Sequence, residues 1–238
     1  RVSLVPWWEK QDGMHTWKLG ALGAYQDSQI PGAVDAPQEL ELKQWFSQAF
    51  GTYQYGVGKN SVFKTEVFYR RTSEDLVRTP EASQLRASNF PANTDASATG
   101  AQAHFQYPFK TGRVHGHMGG RYHTYHRTDA FSDKQMERVE LPVSLGLDWN
   151  VTDSVSVQPS LLGIHTEDVL RKHSYLSPRV EAEVKLPANW KTTGWVGQHF
   201  RVPTLSEVGG VGKALVGNPD LQPETALKWG AELSTGTW

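Results

Sequence analysis

Between residues 175 and 186 the chain alternates with a period of two. Leu176, Pro178, Val180, Ala182, Val184 and Leu186 share one face of an extended strand, while Ser177, Arg179, Glu181, Glu183 and Lys185 share the other. Placed against lipid, each charge near the bilayer midplane would cost up to about 2 to 4 kcal/mol. Four such charges would exceed the whole stability of many domains, about 5 to 15 kcal/mol. The charged face is therefore predicted to look into a wet interior and the apolar face outward. Val139, Leu141, Val143, Leu145, Leu147 and Trp149 form a second outward row, opposed by Glu140, Ser144 and Asp148. Thr225, Leu227, Trp229, Ala231 and Leu233 form a third, against Lys228, Glu232 and Ser234.

Breaks in this alternation predict eleven strands, near 1 to 8, 14 to 27, 38 to 56, 60 to 72, 97 to 109, 112 to 126, 134 to 149, 153 to 166, 175 to 186, 190 to 201 and 224 to 236. Residues 38 to 56 are long for one strand, and Gly51 is read as a bulge or an additional turn. The connections alternate in length. Short ones fall at 9 to 13, 57 to 59, 110 to 111, 150 to 152 and 187 to 189, and longer ones at 28 to 37, 73 to 96, 127 to 133, 167 to 174 and 202 to 223. Short turns on one rim and long loops on the other define an outer-membrane barrel with periplasmic turns and extracellular loops. A Greek-key sandwich has no reason to keep that order.

Composition fits this architecture. The chain is only 38% hydrophobic, yet it holds nine Trp, eight Tyr and nine Phe, as expected when apolar residues occupy every second strand position. Six rings, Trp7, Trp8, Trp17, Phe109, Trp149 and Trp190, flank the short turns, where an aromatic girdle would lie. The absence of cysteine removes disulfides, thiolate chemistry and Cys-based zinc sites. A net charge of −1 provides no global field for nucleic acid. No run approaches the roughly 18 apolar residues of a spanning helix, and the opening Arg1 to Trp8 is too short for the apolar core of a signal peptide. An open-edged sheet cannot stand in hydrocarbon, so the chain is expected to be truncated.

Two blocks near the end carry more specific information: Phe200-Arg201-Val202-Pro203-Thr204-Leu205-Ser206-Glu207, and Gly217-Asn218-Pro219-Asp220-Leu221-Gln222-Pro223-Glu224. Pro203 removes a ladder donor and ends the rising strand. Thr204, Ser206 and Glu207 offer oxygens to cap a short helical turn, with Ser206 the better placed, and the residues before Pro219 and Pro223 are held out of the helical region. Arg201 is expected to pair with either Glu207 or Glu224, folding the loop back over the interior. The blocks resemble the paired Phe-Arg-x-Pro and Asn-Pro-x-Leu boxes of TonB-dependent outer-membrane receptors, where they frame an extracellular loop. The resemblance is tight over the last 40 or so residues and rests elsewhere on strand pattern.

The resemblance implies an all-β, transmembrane, antiparallel up-and-down barrel. Residues 1 to 238 would form about 11 of its 22 strands, without the plug that precedes such barrels. It implies energy-coupled import of a scarce ligand, such as a ferric siderophore or other metal chelate, across the outer membrane of a Gram-negative cell. The partners would be the TonB energy-coupling complex, acting through the plug, the ligand itself and outer-membrane lipid. No resident cofactor and no nucleic acid are expected. Arg201, Glu207, Asn218 and Glu224 would contact the loop, ligand or plug, and Arg113, Arg121, Arg179, Glu181, Glu183 and Lys185 would face the lumen. Haem receptors that share these boxes carry a histidine between them, which Val208 to Val216 lacks.

A second constellation is His115, His117 and His123, which parity places on one face with Arg113 and Arg121. Imidazoles two residues apart on a strand suit Cu, Zn, Ni or Fe, or equally a plug or lumenal water. The nearby Gly116, Gly119 and Gly120 fit close approach of another backbone. Catalytic motifs are lacking: there is no Gly-x-Ser-x-Gly elbow, no metalloprotease helix, and no phosphate loop followed by a helix. Glu181 and Glu183, flanked by Arg179 and Lys185, read as a charge ladder rather than a glycosidase pair. Two other readings remain open: a passive porin of the same architecture, and a secreted all-β glycan-binding module.

Overall fold

The computed structural model describes residues 2–30, 40–57, 61–78, 92–129, 132–168, 171–209, 217–218 and 220–235. The short turn at 58 to 60, the central parts of the long connections and the segment from 210 to 216 lie outside the described residues, as do Pro219 and Trp238. One antiparallel sheet holds every strand. In chain order these are β1 (Val2–Leu4), β2 (Trp7–Asp12), β3 (His15–Ile30), β4 (Leu40–Val57), β5 (Ser61–Arg78), β6 (Ala92–Phe109), β7 (Gly112–Asp129), β8 (Ser132–Asn150), β9 (Val155–Asp168), β10 (Lys172–Leu186), β11 (Trp190–Arg201) and β12 (Glu224–Thr235). The only helix described is α1 (Leu205–Gly209). Neighbours in sequence are neighbours in the sheet from β3 to β12.

The first predicted strand is broken in two. β1 and β2 both pair with β3, in one register that runs from Val2 opposite Tyr25 to Asp12 opposite His15. The break falls at Val5-Pro6, where proline has no N–H for the ladder, although the Pro6 carbonyl still accepts a bond from the Ala21 N–H at 3.0 Å. The strand also runs beyond its predicted end at Trp8 to Asp12. The turn that follows is only Gly13-Met14, with Gly13 at φ +58°, a conformation glycine adopts without steric cost.

Most strands exceed their predicted lengths on the long-loop side. β5 continues to Arg78 and β6 starts at Ala92, so much of the predicted loop from 73 to 96 is paired sheet. An 18-residue strand such as β4 is about 60 Å long. At a tilt of about 40° it spans roughly 45 Å along the membrane normal, against an apolar band of about 25 Å. The surplus stands in water, where polar residues pair as well as apolar ones. Gly51 is neither bulge nor turn: it stands opposite Leu19 and Val67 in unbroken ladders.

The sheet register assigns one outward face throughout. Outward rows include Leu19, Gly51, Val67 and Ala101 across β3 to β6, and Met118, Val143, Gly163 and Leu176 across β7 to β10. Gly116, on this face, receives a ring from the preceding strand. A Cβ on Gly116 would lie 2.3 Å from the ring of Phe105, so one vacancy attributed to an approaching backbone is filled by a side chain. A Cβ on Gly119 would meet the Ala101 carbonyl at 2.9 Å, a backbone contact.

Rings near the short turns form a girdle on the outward face, with Trp8, Trp17, Tyr53, Tyr55, Phe63, Tyr107, Phe109, Trp149 and Trp190 in it. Trp7 does not belong to it. Trp7 pairs with Gly20 on the opposite, lumenal face, because adjacent strand residues cannot share a face. A second girdle includes Tyr25 and Trp45, whose ring centroids lie 4.4 Å apart, with Tyr69 and Tyr122. From Tyr53 to Trp45 is eight residues, about 20 Å along the normal at the same tilt. Outward charges such as the Arg71 and Asp95 pair lie beyond this second girdle.

Candidate functional site

The lumenal face at the long-loop rim is covered by the first box and the end of the second. Arg201 ends β11 and stands opposite Glu224, the first residue of β12. Its guanidinium donates to Glu224 through Nε at 3.1 Å and Nη2 at 2.6 Å, and through Nη1 to both Glu207 oxygens at 2.9 Å. It therefore grips two carboxylates at once, one from the helix and one from the returning strand. This fork geometry is what a planar guanidinium offers and an ammonium does not.

Thr204, not Ser206, caps the helix. The Glu207 N–H donates to Thr204 Oγ1 at 3.2 Å, and the Thr204 N–H donates to Glu207 Oε2 at 2.8 Å. This is a reciprocal capping box over Thr204-Leu-Ser-Glu207. Ser206 is two residues inside, where its side chain reaches only the Thr204 hydroxyl at 3.0 Å. Thr204→Ala is expected to destabilise this turn by about 1 kcal/mol, seen as faster amide exchange over residues 205 to 208, with exchange in β8 unchanged.

The Thr204 N–H bond and then Arg201 hold the Glu207 carboxyl below its usual range, and Arg201 does the same for Glu224. Both folded-state values being depressed, the clasp's contribution is fully present above the ordinary carboxylate pKa of about 4.3 and is lost as pH falls through the lowered values. A spin label replacing Ser206 should thus stay immobile from neutral pH to mild acid and loosen only below the ordinary carboxylate range. Loosening at pH 6 would contradict the clasp.

Beneath the helix lies a residue that the sequence did not single out. Arg138, on the lumenal face of β8, is only 5% exposed. It donates to the Pro203 carbonyl through Nη1 at 2.5 Å and to Asp168 through Nη2 at 3.2 Å. Leu205 and Val208 are buried beside it, as is Tyr125. The second box is tied to the first by the Asn218 N–H, which donates to the Glu207 carbonyl at 3.1 Å. The Asn218 side chain turns inward on its own segment, accepting from the Asp220 N–H at 2.8 Å. Asp220 in turn pairs with Arg171.

A lumenal cavity of about 580 Å³ opens beside this assembly. Arg70, His123, Arg138 and Glu140 from the wall and Thr204 and Leu205 from the box are among its lining residues. It mixes both signs of charge with hydroxyls and apolar surface.

The remaining predicted residues take separate places. Arg113 pairs with Asp148, and Arg179 pairs with Glu181 at 2.5 Å while lying 4.9 Å above the Trp195 ring. Glu183 meets Lys191 at 3.2 Å, and Lys185 is exposed near the short-turn rim. Arg121 stands opposite Glu140. The three histidines diverge rather than converge. His115 Nδ1 lies 3.7 Å from Asp148, His117 lies 3.3 Å from the Gln102 amide oxygen, and His123 lies 3.2 Å from Glu140. Among the described residues no three His, Asp or Glu side chains are placed to share a metal ion.

A long-looped, girdled, antiparallel sheet with a charged lumen defines an outer-membrane β-barrel segment. The chain belongs to the family described as TonB dependent receptor-like, beta-barrel, which matches residues 8–238. Its fold is similar to that of the copper transporter OprC, with TM-score 0.78 and 13% identity over 99% of this chain and 42% of that one. It is also similar to the siderophore receptor PirA from Acinetobacter baumannii, with TM-score 0.75 and 14% identity over 99% and 40%. For the HasR hemophore receptor of Serratia marcescens, in complex with HasA and heme, the TM-score is 0.65, with 14% identity over 92% and 42%. The chain thus spans about two fifths of the length of these structures. No curated protein matches it in sequence. The family and these neighbours are receptors and transporters of the Gram-negative outer membrane rather than enzymes.

Proposed function

We propose that this segment is one side of a TonB-dependent importer, and that the cargo is a metal chelate such as a ferric siderophore. The observation that carries the reading is the 580 Å³ cavity on the lumenal wall, roofed by Thr204, Leu205 and Ser206. A recess of this size, with convergent polar groups over part of its lining, suits a small polar ligand. Arg201, Glu207, Glu224 and Asn218 act in this reading as the fastening of the roof. Arg113, Arg179, Glu181, Glu183 and Lys185 offer a ladder of charges to a plug, through which the TonB complex would act.

The test is uptake by cells that express the complete receptor. Accumulation of labelled ferric siderophores should require the receptor and fall to background when TonB is deleted. Equal uptake with and without TonB would instead establish a passive pore. A receptor that is recovered in the soluble fraction without detergent would exclude both.

A further inference from the structure

The outward face carries a second recess, unrelated to the lumen. It lies across β2 to β5 at the short-turn girdle, has a volume of about 450 Å³, and includes Trp8, Lys10, Leu19, Gly51, Tyr53 and Val67 in its lining. The register sorts these residues into levels. Trp8, Leu19, Gly51 and Val67 form the row nearer the bilayer centre, Lys10, Trp17, Tyr53 and Thr65 the next, and Asp12, His15, Tyr55 and Phe63 the row nearest the periplasm.

Gly51 makes the recess. A Cβ there would lie 3.2 Å from Leu19 Cδ2 and 3.4 Å from Val67 Cγ2, so the floor of the recess is low because position 51 has no side chain, and Leu19 and Val67 lean in at its sides. The next level inward is also low on this part of the sheet, with Ala21 opposite Ala49. An apolar trough therefore leads from the girdle toward the bilayer centre. At its mouth the polar groups are fixed: His15 Nδ1 is 2.9 Å from the Tyr53 hydroxyl, and the His15 ring stacks on Tyr55 at 4.9 Å.

Lys10 is the cation of the middle row, and Asp12 lies one level closer to the periplasm on the same face. Neither forms an ion pair with another described residue. The two levels are about 6 to 7 Å apart along the strand. A cation at phosphate depth, a carboxylate nearer water and an apolar trough below them are complementary to one molecule class. We propose that this recess binds a zwitterionic aminophospholipid of the periplasmic leaflet. Its phosphate meets Lys10, its ammonium meets Asp12 and the Tyr55 ring, and one acyl chain lies over Gly51 against Leu19 and Val67. The charge order decides against an anionic head, which would bring a second negative group or a neutral one to Asp12.

The experiment uses the complete receptor purified in mild detergent and incubated with equal amounts of phosphatidylethanolamine and phosphatidylglycerol carrying the same acyl chains. Bound lipid is counted by native mass spectrometry. The ethanolamine lipid should dominate the retained adducts. Lys10→Ala should lower its occupancy about five- to tenfold, and Asp12→Asn should abolish the preference between the two lipids. Gly51→Leu should displace the lipid while leaving the barrel folded, because its side chain points away from the lumen. Heat-modifiable gel migration reports folding, and if Gly51→Leu does not fold, the Lys10 and Asp12 variants decide. Equal binding of both lipids by the natural receptor, a preference for phosphatidylglycerol, or unchanged occupancy in Lys10→Ala would each overturn the proposal.

Discussion

Val143→Lys is expected to destabilise the barrel by about 2 to 4 kcal/mol, read from urea unfolding of the complete receptor in lipid vesicles. Val143 stands at the centre of the outward row of β8, between Met118 and Gly163, and is 50% exposed when no lipid is counted. Only the bilayer covers it. The neighbouring Ser144 pairs with His117 and Leu162 on the lumenal face. Ser144→Lys should cost far less, because its ammonium reaches water. The contrast between adjacent positions is the measurement that matters. Equal costs at 143 and 144 would mean that the assignment of faces is wrong.

Arg138→Ala should be comparably damaging, at about 3 kcal/mol or more. The substitution removes a buried guanidinium from between Asp168 and the Pro203 carbonyl and leaves both acceptors without it. A largely buried carboxylate that loses its cation costs more than the ion pair contributes. The paired change Arg138→Ala with Asp168→Ala should therefore recover part of the loss, though not all, since Asp168 Oδ1 also accepts from the Arg171 N–H at 2.9 Å. Because Pro203 precedes the cap residue, the same variant should increase amide exchange over residues 204 to 208. Protection unchanged there would show that the box is held by Arg201 alone.

The alternation in β8, β10 and β12 is visible in the sequence because lipid tolerates no charge, so one face is written entirely in apolar residues. Strand ends are not visible in that way. Ser73-Glu74-Asp75 and Asn93-Thr94-Asp95 look like loop, yet they pair with each other above the bilayer, where no hydrophobic period is imposed. Trp7 shows the complementary difficulty, since a ring beside a short turn marks a girdle only when its parity points outward. At the rim, Arg201, Glu207 and Glu224 are recognisable because they lie in continuous motifs. Arg138 is not, because its partners are 30 and 65 residues away in the chain and only the fold joins them. The cap could have been found: Thr204-x-x-Glu207 is a capping-box pattern, whereas Ser206 has no acidic residue three positions later.

The bond from Asn218 to the Glu207 carbonyl, at 3.1 Å, has a consequence for how such a receptor changes over time. It brings the two ends of the intervening segment together, independently of what that segment contains. Lengthening an already closed loop costs only about 0.6 kcal/mol for each doubling. The junction of the two boxes therefore depends only weakly on the length of chain that it encloses. Arg201 and Arg138 keep the mouth in register through bonds to Glu207, Glu224 and Pro203, so the two boxes carry their own fastening.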